Sequence, residues 1–213
     1  MRLTKYSHSC VRLQDGNGTL LIDPGTLSQA SDALAEADGV LITHEHADHI
    51  DADALRTAAG GNPALAVWAP GSVAGTLADL GRQVTEVAPD EAFEACGFSI
   101  ETFGGQHALI HPTVPIVPNI CYLVNGTVFH PGDSLIVPTK PVQTLLVPIH
   151  APWSKTAEVV DFVVSMRAPQ AFQIHDGLLN ETGLQFTEGH VARVGGWHGT
   201  EFRHLATGES LTV

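Results

Sequence analysis

Four residues in a six-residue stretch, His44, His46, Asp48 and His49, form the pattern H-x-H-x-D-H. Neutral imidazoles and a carboxylate are the ligand types of zinc and related divalent cations. The stretch follows Val40, Leu41 and Ile42, an uncharged run bounded by Gly39 that reads as a short buried strand. Residues at i and i+2 share one side of extended chain, and a turn after them brings the last pair round to the same point. Four such groups can serve two neighbouring ions with two ligands each.

This stretch resembles the signature of the metallo-β-lactamase superfamily, T-H-x-H-x-D-H after a strand, followed by three isolated metal ligands. The downstream matches are His107 in GGQHALIHP, Asp133 in FHPGDS and His175 in QIHDGLL, in the family's order. The chain looks like the short, L-ascorbate-6-phosphate lactonase-like, metal-dependent hydrolase branch, which also opens with a strand carrying a His-Ser pair, here His8-Ser9. The resemblance implies a four-layer αββα sandwich with its site at one edge, between two sheets. It further implies that His44, His46 and His107 hold one metal, that Asp48, His49 and His175 hold a second, and that Asp133 bridges them.

Such a site suits a hydrolase of small esters, lactones or phosphoesters. A metal-bound water ionises at a pH of about 7 in favourable zinc sites, and the hydroxide attacks a carbonyl or phosphorus. Asp48 is the candidate to orient that nucleophile and shuttle its proton. Two divalent ions are expected, zinc first, with manganese or iron also compatible with an N/O donor set. Redox di-iron members of the superfamily carry Glu where His46 stands, which favours hydrolysis here. Iron-dependent oxygenases keep a similar motif, so a redox protein is the alternative. Further candidates are Asp23, placed to fix a ligand histidine's tautomer, and His8, placed to line the pocket or join the coordination sphere. Lys155, Asp176 and Trp153 lie near strand ends as substrate contacts, and His111, His130 and His150 read more simply as structural.

The isolated residues share a placement. Apolar runs precede each: Ile100 to Phe103 before His107, Val128-Phe129 before Asp133, and Phe172 to Ile174 before His175. Strand ends of this kind converge on one sheet edge. Residues 2–13 and 19–23 read as strands around the turn signal Asp15-Gly16-Asn17-Gly18. Helices are expected over 30–37, over 52–59 with Asp51 as cap, from a Ser72 cap to Gly81, over 156–166, and briefly near Leu178. Strands are expected at 65–68, 84–87, 98–103, 120–124, 127–130, 144–149 and 171–174, and around Phe202 and Leu211. The alternation indicates layered α/β architecture in one domain, 1–213.

Composition bounds the function. Hydrophobic residues make up 44% of the 213 and charged ones 15%, enough for a sizeable core. A net charge of −13, with no Lys/Arg run, argues against nucleic acid as partner. A small, anionic substrate stays compatible, because a metal pair is itself a strong positive charge. Cys10, Cys96 and Cys121 form no C-x-x-C pair and read as buried free thiols. With no apolar leader after Met1 and no membrane-length apolar run, a cytoplasmic protein is expected.

Overall fold

The structure, a computed structural model, describes all residues of 1–213 except Asn17. Among the described residues, fourteen strands form two seven-stranded sheets. The first sheet contains β1 (Arg2–Lys5), β2 (Val11–Asp15), β3 (Gly18–Ile22), β4 (Gly39–Leu41), β5 (Ala66–Ala69), β6 (Val84–Glu86) and β14 (Ser210–Thr212), in the order β14-β1-β2-β3-β4-β5-β6. The second contains β7 (Ala92–Ala95), β8 (Phe98–Gly104), β9 (Ile120–Val124), β10 (Val128–His130), β11 (Thr144–Pro148), β12 (Gln170–Ile174) and β13 (Glu201–Arg203), in the order β13-β12-β11-β10-β9-β8-β7.

Strand periodicity sorts the core into layers. In β3, Leu20 and Ile22 face the space between the sheets, where they join Leu41, Phe98, Ile100, Tyr122 and Phe172. Leu21, between them in sequence, points the other way with Val40, Val67, Leu55 and Val73, under α1 (Ala30–Leu34), α2 (Ala52–Gly61) and α3 (Gly71–Thr76). On the far side, Leu123, Phe129, Leu145 and Val147 pack against Val159, Phe162 and Val163 of α4 (Thr156–Met166) and Val191 of α5 (Glu181–Trp197). The result is the expected αββα sandwich.

Several boundaries differ from the sequence expectation. Residues 2–13 are two strands rather than one, because the chain turns through Ser7–Ser9 with His8 at φ 56°. Either side of the second turn, Asp15 pairs with Gly18; the expected Asn17 of that turn lies outside the described residues. Ser72 is not a cap: α3 starts at Gly71 after Pro70 and makes no side-chain cap bond. The short helix near Leu178 is instead the 17-residue α5, capped by Asn180 accepting from the Gly183 N–H. Its buried stripe is thin, only Val191 and Gly195, and it carries four glycines, so periodicity had little to register. Strand β7, in the short run EAFEA, exists through its pairing with β8. Cys96 is partly exposed, whereas Cys10 and Cys121 are buried thiols.

Candidate metal centre

Parallel pairing brings the carboxyl ends of β3, β4 and β5 together on one sheet and those of β10, β11 and β12 on the other. The donor residues follow these ends. His44 to His49 follow β4, Asp133 follows β10 and His175 follows β12, while His107 arrives from the loop after β8. Two buried contacts close the sheets beside the motif: Tyr122 Oη donates to the Ile42 carbonyl at 2.8 Å, and the Ile120 N–H to the Thr43 carbonyl at 2.9 Å.

The side chains converge in two groups whose donor atoms lie within 4.8 Å of one another: His44, His46, His107 and Asp133, and His8, Asp48, His49 and His175. Asp133 touches both. Its Oδ1 is 3.0 Å from His49 Nε2, and its Oδ2 is 3.2 Å from both His107 Nε2 and His175 Nε2. Four of these buried atoms, the Nε2 of His49, His107 and His175 and Oδ1 of Asp133, make no hydrogen bond. Buried polar atoms rarely go unpartnered, so this donor set fits a bound cation.

The opposite ring nitrogens are all engaged. His49 Nδ1 donates to Asp23 Oδ2 at 2.7 Å, His107 Nδ1 to the Ala108 carbonyl at 2.5 Å, and His175 Nδ1 to the His150 carbonyl at 2.6 Å. A proton on Nδ1 leaves the Nε2 lone pair facing the cluster, the tautomer that ligates. His8 is held the other way round. The Gly177 N–H donates to its Nδ1 at 3.2 Å, so its proton sits on Nε2, 3.0 Å from Asp48 Oδ2. The ring therefore offers the cluster a proton, not a lone pair.

Electrostatics agree. Burial pushes the His44 and His46 pKa values down. For His49 burial also acts downward, but Asp133 and Asp23 outweigh it and raise the value well above the ordinary range. His175 is raised to about 9, against its burial, by Asp133 and Asp48. Burial works upward on Asp48 and Asp133, yet the surrounding imidazoles hold both carboxyls below the usual range. The carboxylates demand positive charge at this point, which a proton or a metal ion supplies.

The supporting residues are strained and tightly packed. His8, Asp23 and His175 sit at φ 56°, 51° and 57°, left-handed conformations unfavourable for residues with side chains. Asp23, fully buried, also accepts from Thr43, from its N–H at 2.8 Å and its hydroxyl at 2.6 Å. Gly25 lies so close to the motif that a Cβ there would stand 1.8 Å from the Asp48 carbonyl oxygen. Gly132, at φ 59°, would place one 2.4 Å from Asn119 Oδ1. That Asn119 oxygen accepts from the Asp133 N–H at 3.0 Å.

The other sequence candidates are dispersed. Trp153 borders the cluster and donates its indole N–H to Asp133 Oδ2 at 2.8 Å. Asp176 faces away, its oxygens taken by Lys5 at 3.4 Å and Gln173 at 3.2 Å. Lys155 is exposed and pairs with Glu158 at 3.6 Å. His130 is fully buried between the Ser9 carbonyl and the Gly132 N–H, and His111 bonds Thr113 on the surface. Sequence reasoning missed Asn119 and Lys5. The Lys5 side chain is 1% exposed, and its ammonium donates to the carbonyls of Tyr6 and of His8, the latter at 2.8 Å. A lysine in a strand carries no signal that its head will be buried.

A two-sheet sandwich bearing this His/Asp donor set at the strand ends defines a protein of the metallo-β-lactamase type. Residues 2–175 match the family model described as "Beta-lactamase superfamily domain", and the chain belongs to that superfamily. It is 36% identical over 184 residues to Protein Rv0786c of Mycobacterium tuberculosis, covering 84% of this chain and 85% of that one. A UPF0173 metal-dependent hydrolase of Geobacillus thermodenitrificans is 37% identical over 54 residues, 24% of each chain. Among solved structures, Igni18, a metallo hydrolase of Ignicoccus hospitalis, superposes with a TM-score of 0.74 at 20% identity, over 99% of this chain and 97% of that one. Among the described residues, no helix is long and apolar enough to cross a membrane.

Proposed function

We propose that this metal-dependent hydrolase works through a dinuclear site on a small carboxylic ester or lactone, with a phosphoester as second candidate. The observation that carries the reading is the convergence of four unpartnered buried donor atoms whose opposite sides are all fixed. His44, His46 and His107 would hold one divalent ion, Asp48, His49 and His175 the other, and Asp133 both. When bound, such ions polarise the scissile oxygen and lower the pKa of water.

The chain's own groups do the rest. Asp48, whose side chain is 27% exposed, is the one carboxylate of the cluster open to the mouth. Held by the His8 Nε2–H, it is placed to orient a water and take up its proton. Trp153 fixes Asp133 and walls off one side. The acidic balance, 23 Asp and Glu against ten Lys and Arg, supports a small molecule over nucleic acid. The His8-Ser9 pair supports the lactonase-like branch. His46, where redox members carry Glu, supports hydrolysis over oxygenation.

The test is metal analysis of protein purified without added metal, with a visible spectrum. Two colourless ions per chain are expected, both lost in Asp133→Ala while the circular dichroism spectrum persists. A coloured iron centre with oxygen uptake, or full occupancy in Asp133→Ala, would overturn the reading.

A further inference from the structure

Most of the large exposed apolar side chains lie on the segments that carry or adjoin the donor residues. Among the described residues ten large apolar side chains are exposed, and all but Phe186 and Trp197 lie on segments that carry a donor residue or hydrogen-bond to one. Leu109 and Ile110 follow His107 by two and three positions, Ile136 and Val137 follow Asp133 by three and four, and Leu178 follows His175 by three. Ile116 is brought in by the loop's return: the His107 N–H donates to the Val117 carbonyl at 3.0 Å, and the Ala108 N–H to the Asp133 carbonyl at 2.8 Å. Pro112, Pro115 and Pro118 stiffen that loop, so its apolar side chains are displayed at low entropic cost.

Cationic side chains are few on the same segments. The segments 23–29, 43–51, 105–118, 131–140, 150–155 and 175–180 contain two lysines and no arginine. Lys140 pairs with Glu101 and Lys155 with Glu158, so neither offers an uncompensated cation. The remaining wall is aromatic: the Trp153 ring stands edge-on to His107 and His175, with centroids 5.9 and 6.5 Å away. Exposed apolar side chains gathered on the segments that bear a polar site mark a binding surface, and pockets orient an apolar body with few polar groups.

We propose that the substrate is an ester or lactone bearing a medium-length alkyl or aryl group, which lies on Leu109, Ile110, Ile116, Ile136, Val137 and Leu178 while its carbonyl reaches the donors. This rests on the hydrolase reading and narrows it. A second copy of the chain is a poorer occupant. It would cover the donors, and two chains of charge −13 repel.

The test uses the metal-loaded protein and straight-chain alkyl hydroxamates from acetyl to octanoyl, with affinity read by calorimetry. Partial burial of each methylene predicts a gain of about two- to threefold per carbon. In Leu109→Asn/Ile136→Asn the octanoyl-to-acetyl affinity ratio falls toward one, while metal content, measured separately, holds. Tight binding of every hydroxamate with no dependence on length overturns this inference and leaves the hydrolase reading standing. Metal-loaded protein that binds no hydroxamate overturns this inference alone, whereas protein that takes up no metal removes the hydrolase reading and this one together. A sedimenting dimer that Ile110→Asp disperses, without chain-length dependence, assigns the patch to self-association and also overturns the proposal.

Discussion

Asp23 and His49 stand 26 residues apart in sequence and are both fully buried, with Nδ1 of the histidine 2.7 Å from the carboxylate. The bond fixes the ring so that Nε2 faces Asp133, 3.0 Å away. Asp23 also ties down the Thr43 backbone at the start of the motif. One carboxylate thus sets the tautomer of one donor and the position of the loop bearing four.

Asp23→Asn is expected to weaken metal affinity by about 10- to 100-fold, the range for removing such an outer partner. The amide's NH2 group would meet a donor, either Thr43 or His49. Metal titration against a chromogenic chelator measures this. Unchanged affinity would show that His49 orients without Asp23.

His8→Ala is expected to keep its metals and lose turnover. The imidazole gives Asp48 a proton donor and no lone pair, so ion content holds while kcat falls by about 10- to 100-fold. Metal analysis beside steady-state kinetics separates the two. Loss of one ion on substitution would make His8 a ligand.

Metal affinity is expected to climb with pH up to about 9. In the folded ion-free protein, burial depresses the His175 pKa but Asp133 and Asp48 raise it to about 9, and His49 is raised as well. Both rings therefore hold protons at neutral pH, and an ion must displace them. Calorimetry in buffers of different ionisation enthalpy should show proton release on binding at pH 7, fading toward pH 9. By the same sign, these histidines stabilise the ion-free fold fully below their unfolded value of about 6.5. That contribution is lost as pH rises through about 9 for His175. The depressed Asp48 and Asp133 contribute above the ordinary carboxylate range and lose that contribution as pH falls through their lowered folded values.

Lys5→Ala is expected to destabilise the fold by about 2 kcal/mol, because it removes the donor to the His8 carbonyl and one of the two partners of Asp176. The His175 N–H bonds that same carbonyl at 3.2 Å, so the lysine couples the His8 turn to the end of β12. Urea midpoints of wild type and variant give the difference. A change within 0.5 kcal/mol, the usual range for surface substitutions, would mean the buried ammonium contributes nothing net.

The sequence alone determined the layered α/β class and most strands, and it named the His and Asp residues that the structure brings together. Those depend on local pattern: period-two and uncharged runs such as Leu20–Ile22 and Val40–Ile42, and imidazoles and carboxylate crowded into six positions. Only the tertiary structure decided what surrounds them. The reversed ring of His8 depends on the Gly177 N–H, 169 residues away. The burial of Lys5 depends on Asp176, 171 residues away, and Asn119 reaches Asp133 across 14 residues and two strands. The apolar rim is also a property of exposure, since Leu109 and Leu123 are the same residue type, one 52% and the other 1% accessible. Side-chain chemistry is written locally, but hydrogen-bond partners and exposure follow from which distant segments the sheets bring together.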